Sequence, residues 1–94
     1  MTKVVHCKKE KYDIYIGRPT LWGNPFIIGK DGNRDEVVEK FEYWVRNSNN
    51  DQAIFIRNNI HNLYNKTLGC WCKPHACHGD ILVKILNEYR SNSK

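Results

Sequence analysis

The sequence predicts an α/β (or α+β) domain, a small sheet of three to four strands with three helices packed on it, in the order β-β-loop-α-α-β-α. Three observations lead to that class. Two short β-branched and aromatic runs open the chain, and three later segments repeat apolar residues at helical spacing. A further β-rich run, Thr67 to Trp71, falls between the second and third of those segments. The 94 residues suffice for one domain, 1–94, and are too few for a second.

Thr2 to His6 and Asp13 to Ile16 read as strands separated by the charged turn Lys8-Lys9-Glu10-Lys11. Gly17 to Gly32 is then dense in Gly and Pro, which marks an ordered loop with room for a short strand at Phe26-Ile27-Ile28. Asp31 or Asn33 supplies the cap of a first helix from about Arg34, where Val37, Val38, Phe41, Trp44 and Val45 recur on one face. Asn47 to Asp51 interrupts it, and a second helix from about Gln52 aligns Ile56, Ile60, Leu63 and Tyr64. Thr67 to Trp71 is a buried strand and Lys73 to Ala76 a tight loop. Cys77 to Tyr89 is a third helix facing the core with Ile81, Leu82, Ile85, Leu86 and Tyr89, and 91–94 is a frayed tail.

The hydrophobic fraction of 40% and charged fraction of 27% are those of a globular chain, and no apolar stretch approaches bilayer length. The first nine residues lack the apolar core of a secretory signal, so the expected compartment is the reducing cytoplasm and no membrane partner is expected. Four cysteines in that compartment point to metal binding or thiol chemistry before disulfides. A net charge of +5 favours anionic partners: nucleic acid, a nucleotide or another phosphate-bearing molecule. Because the lysines are dispersed, the same charge also fits an ordinary solvated surface.

Gly69 to Gly79 concentrates chemistry, holding Cys70, Cys72, Cys77, His75 and His78 within eleven positions. Three readings stand side by side. Zinc requires four ligands, and Cys70, Cys72, Cys77 and either His78 or His75 make a set if the chain reverses sharply at Pro74. Alternatively, Cys77, His78 and Gly79 open a helix after a strand, where free amides and the helix dipole lower a thiol pKa and attract anions. Gly79 then admits a ligand close to the backbone and Lys73 adds charge, while Asp80 opposes an anion. In the third reading the cysteines simply fill the core.

Arg18-Pro19-Thr20-Leu21-Trp22-Gly23-Asn24-Pro25-Phe26 is the second informative segment, because its prolines stiffen the backbone. Arg18 offers a phosphate fork, Trp22 a stacking surface and Asn24 a hydrogen-bonding edge for a base. The bland alternative makes Trp22 and Phe26 core plugs and Asn24 a turn closer.

Three segments, Tyr12 to Pro19, Trp22 to Phe26, and Gly69 to Pro74 with Cys77 to Asp80, together resemble a small family of phage and bacterial proteins classed as a domain of unknown function. The resemblance spans most of the chain. It implies a compact cytoplasmic domain of a kind met in phage genomes, and it implies no catalytic role.

Together these features predict one pocket, formed by the Arg18–Asn24 loop and the helix start at 77–79, for a phosphate-bearing, nucleotide-like ligand. Arg18 and the helix-start amides hold phosphate, Trp22 and Asn24 contact the base, and Cys77 with His78 is the candidate reactive pair. Such a protein either sequesters a host nucleotide or signal or processes it. The competing class is a zinc-stabilised nucleic-acid-binding module built on Cys70, Cys72, Cys77 and His78.

Overall fold

The computed structural model describes residues 2–73 and 75–92. Pro74, where the sharp reversal is expected, and 93–94 of the tail lie outside the described residues. Strands β1 (Lys3–His6), β2 (Ile14–Tyr15) and β3 (Thr67–Cys70) form a parallel sheet in the order β1-β3-β2. Val4 and Ile14 both stand opposite Leu68, and Val5 and Tyr15 both stand opposite Gly69. Residues in register share a face, so Val4, Leu68 and Ile14 join Cys70 on the side that packs against the helices. On the other side the Tyr12 ring lies against Gly69, where an added Cβ would come within 2.6 Å of Tyr12 Cγ. Gly69 is what lets that ring close over the central strand.

Helix α1 (Arg34–Asn47) begins with a capping box. Asn33 Oδ1 accepts from the Glu36 N–H at 2.9 Å, and Glu36 Oε1 accepts from the Asn33 N–H at 2.8 Å. Asp31, the other candidate cap, instead accepts from the Ile27 N–H. Val37, Phe41 and Val45 are buried one helical turn apart, with Val38 and Trp44 half-buried beside them. Helix α2 (Asp51–Asn59), capped by Asn50, passes into a 3-10 turn, Ile60–Leu63. Ile60 and Leu63 are buried there, but Tyr64 is exposed, with the Arg90 guanidinium 3.4 Å from its ring centroid. Helix α3 (His78–Asn92) buries Leu82 and Leu86 and half-buries Ile81 and Ile85.

Four sequence expectations differ from the structure for identifiable reasons. Tyr89 is exposed and stacks on His61, because the last turns of α3 run past the edge of the core. The same helix continues through Asn92, so it runs past the expected end at Tyr89 and takes in Ser91 of the expected tail. No strand forms at 26–28: Ile27 and Ile28 are exposed, and the segment folds back through Asp31 N–H to Ile27 O and Gly29 N–H to Gly32 O. Gly29 adopts a positive φ of 92° to make that turn. Finally, β3 stops at Cys70, one residue short of the expected end at Trp71, which is exposed rather than buried.

The loop after β2 is fastened to both of the helices that follow it. Gln52 Nε2 donates to the carbonyls of Leu21 and Gly23, and Asn24 Nδ2 donates to Val37 O at 3.1 Å. Trp22 meets Phe55 of α2 edge-on at 5.2 Å. One apolar cluster, running from Ile16 through Phe41 and Ile56 to Leu68, Cys77 and Leu86, joins all the elements.

Candidate functional site

Beyond the carboxyl ends of β2 and β3 lies a cavity of about 390 Å³, the position at which parallel sheets commonly take their ligands. Its wall is drawn from Tyr15 at the end of β2, the loop at Gly17, Arg18, Asn24 and 26–28, and the first turns of α1 at Arg34, Val37 and Val38. The segment after β3 completes it with Trp71, Cys72, Ala76, Cys77 and His78. Two guanidinium side chains therefore share a wall with three aromatic and four branched aliphatic residues, and none of the lining residues is Asp or Glu.

Among the sequence-predicted residues, Arg18, Asn24, Cys72, Cys77 and His78 are brought together around this cavity. Three of the ligand-binding candidates lie outside its wall, as do Cys70 and His75. Trp22 is half-buried against Phe55, because the fastened loop turns its ring toward α2. Lys73 forms an ion pair with Asp80 at 2.6 Å, which raises its pKa. Gly79 packs under the sheet: a Cβ there would stand 2.8 Å from Ile16 Cδ1 and 3.0 Å from Val4 Cγ1. Its glycine serves helix-to-strand approach and not ligand access. Asn24 lines the cavity, but Oδ1 accepts from the Phe26 N–H while Nδ2 holds Val37 O, so its amide shapes the loop.

The start of α3 is internally capped. Cys77 Sγ accepts from the Gly79 N–H at 3.3 Å, and Asp80 Oδ2 accepts from the Cys77 N–H at 3.2 Å. Those two amides have partners inside the protein, so positive charge in the cavity comes from Arg18 and Arg34.

Cys70 and Cys77 are both buried, with their sulfurs 2.8 Å apart. Helix-start reasoning predicts a depressed pKa for Cys77, whereas the hydrogen bonds place the depression on Cys70. The Cys77 thiol donates to Cys70, the Cys72 and Lys73 amides add to it, and the Cys70 pKa falls to about 6 despite burial. Donation to Cys70, reinforced by burial, pushes the Cys77 thiol up, well above the usual thiol range. Burial pushes His78 below the ordinary histidine value, with the Arg18 charge contributing, so its ring is neutral. His78 Nε2 lies 2.7 Å from the Ile16 carbonyl oxygen, which can only accept; Nε2 therefore carries the proton and Nδ1 is a free base 3.7 Å from Cys77 Sγ.

The zinc set does not assemble among the described residues, where no group of three or more His, Cys, Asp or Glu side chains is placed to hold a metal ion. Cys70 faces Cys77, Cys72 lies in the cavity wall, and the protonated nitrogen of His78 is directed at Ile16. His75 is exposed.

Arg34, Phe26, Ile27, Ile28 and Trp71 are wall residues that site reasoning from sequence passed over. For Arg34 a signal existed: it is the first residue of α1, where the helix dipole favours an acid, and a cation placed against the dipole calls for another use. No helix of the described residues is long and apolar enough to cross a membrane.

Residues 3–88 match the family model described as Domain of unknown function (DUF4326). The chain is similar to the uncharacterized 12.4 kDa protein in the nrdA-td intergenic region of Enterobacteria phage T4, 36% identical over 89 residues that cover 93% of this chain and 79% of the relative. It is also similar to the uncharacterized protein R718 of Acanthamoeba polyphaga mimivirus, 30% identical over 91 residues that cover 78% of this chain and 65% of the relative. No solved structure matches. Matched over nearly its whole length, with relatives in a phage and a mimivirus, the chain belongs to the DUF4326 family of domains of unknown function.

Proposed function

We propose that the cavity binds a small phosphate-bearing, nucleotide-like ligand in the reducing cytoplasm. The observation that carries this reading is the composition of the wall: Arg18 and Arg34 without a lining carboxylate, beside an aromatic and aliphatic half. Guanidinium forks match phosphate oxygens in geometry and charge, and the apolar half suits the faces of a base. A cavity of about 390 Å³ lies within the range used for small molecules. Retention is favoured over turnover. The depressed thiol, Cys70, is buried and outside the lining, while Cys77 holds its proton and His78 is a neutral base turned toward it. The protein then acts by sequestering a nucleotide or nucleotide-like signal.

Calorimetric titration with 5′-AMP, 5′-GMP, their nucleosides and inorganic phosphate tests the reading. Charge-assisted hydrogen bonds to phosphate predict nucleotides binding roughly 10- to 100-fold tighter than nucleosides, with Arg18→Ala and Arg34→Ala each costing about tenfold. Equal affinity for nucleotide and nucleoside, or binding indifferent to both substitutions, would overturn it.

A further inference from the structure

We infer that the ligand is two nucleotide units long, with its second base on Trp71 and its second phosphate beside Lys8. This rests on the proposed reading of the main cavity. A second cleft of about 210 Å³, lined by Cys7, Lys8, Tyr12, Tyr15 and Trp71, adjoins that cavity, and Tyr15 and Trp71 belong to both walls. The two spaces thus share one hydrogen-bonded aromatic pair.

Trp71 is 55% exposed. Its orientation is nevertheless fixed. Nε1–H donates to Tyr15 Oη at 2.8 Å, and the His6 ring meets the indole edge-on at 5.8 Å. Lys8 Nζ stands 5.4 Å from the indole ring centroid. The indole is thus held in place with a lysine ammonium over its ring, and an aromatic surface paired with a mobile cation is what takes a stacked base together with its phosphate. The second cleft, like the first, has no Asp or Glu in its lining, so the cations of the two walls, Arg34 and Arg18 in one and Lys8 in the other, meet no lining carboxylate. The ligand class is a phosphodiester-linked pair of nucleotides, either free or as the end of a single strand.

The full chain is titrated with 5′-AMP, the 5′-phosphorylated dinucleotide pApA and a 5′-phosphorylated hexa-adenylate. One more base stacked on Trp71 and one more phosphate beside Lys8 together predict pApA binding roughly tenfold or more tighter than AMP. Lys8→Ala, at an exposed position, should remove roughly a two- to fivefold share of that gain, the part due to the second phosphate, while leaving AMP affinity within about twofold. A hexamer equal to pApA supports a free pair, and a hexamer bound several-fold tighter supports a strand end. If AMP binds but pApA binds no better, or Lys8→Ala leaves the pApA gain intact, this inference fails and the one-nucleotide reading stands. If neither AMP nor pApA binds, the reading of the main cavity fails with it.

Discussion

The contact between the Cys70 and Cys77 sulfurs lowers the Cys70 pKa and raises that of Cys77, and this makes stability depend on pH in a specific direction. Between about pH 6 and the ordinary thiol value of 9.0, the folded pair holds one proton while the two thiols of the unfolded chain hold both. The unfolded state binds more protons there, so stability rises with pH across that window. Above it the unfolded thiols ionise, Cys77 keeps its proton, and stability falls again. Thermal unfolding under reducing conditions should therefore peak near pH 9, and Cys70→Ser should flatten the rise, leaving only the loss below about pH 6.5 that comes from neutral, buried His78. An identical pH profile in the variant would refute the thiol pair as its source. Much of this site is readable from residue types alone: Arg18, Cys77 and His78 are uncommon side chains placed at Pro- and Gly-marked turns, and they do share one cavity. What residue types do not carry is burial. Trp22 and Trp71 are equivalent in sequence, yet one is packed against Phe55 and the other is exposed over the second cleft. Likewise nothing in the spacing says that Cys70 finds Cys77, seven residues on, in preference to Cys72.

At the level of elements, the first turn of α1 matters most, because Arg34, Val37 and Val38 carry one side of the cavity. Asn33 sets where that turn begins. Asn33→Ala removes the side-chain half of the capping box, the bond from the Glu36 N–H to Oδ1, and should lower stability by about 1 kcal/mol while also weakening ligand binding, since the cap and the wall are one turn. Denaturant melts and titration of the same variant check both effects; a stability loss with unchanged binding would show that Arg34 is positioned independently of the cap. The helices are readable from sequence because their apolar spacing is imposed by a core that one face must meet, as Val37, Phe41 and Val45 do. The segment Phe26 to Ile28 misleads for the complementary reason. Three apolar residues satisfy strand propensity, but their backbone partners lie in the adjacent turn through Asp31 and Gly32, and local hydrogen bonds win over pairing with a distant strand.

Across the whole molecule, α1 and α3 are tied at the surface by Arg46, which grips Glu88 with two bonds of 2.9 and 3.0 Å and also reaches Glu42. Lys84 joins the same group through Glu42. These charges are largely exposed and fix the approach of two helices more than they add to stability. The order β1-β3-β2 has a larger effect, since the middle strand is the last of the three to be made. On a ribosome, β1 and β2 leave the exit tunnel with no neighbour to bond, and they wait through the synthesis of both α1 and α2 before Thr67–Cys70 arrives between them. The segment that completes the sheet is also the one that leads directly into Trp71, Cys72 and Cys77, so the sheet and the ligand cavity come into being in a single late event. A nascent chain arrested with residue 66 as its last should be fully protease-sensitive from Thr2 to Tyr15, and one with all of α3 outside the tunnel should be protected; early protection would mean that the two outer strands find some other partner first.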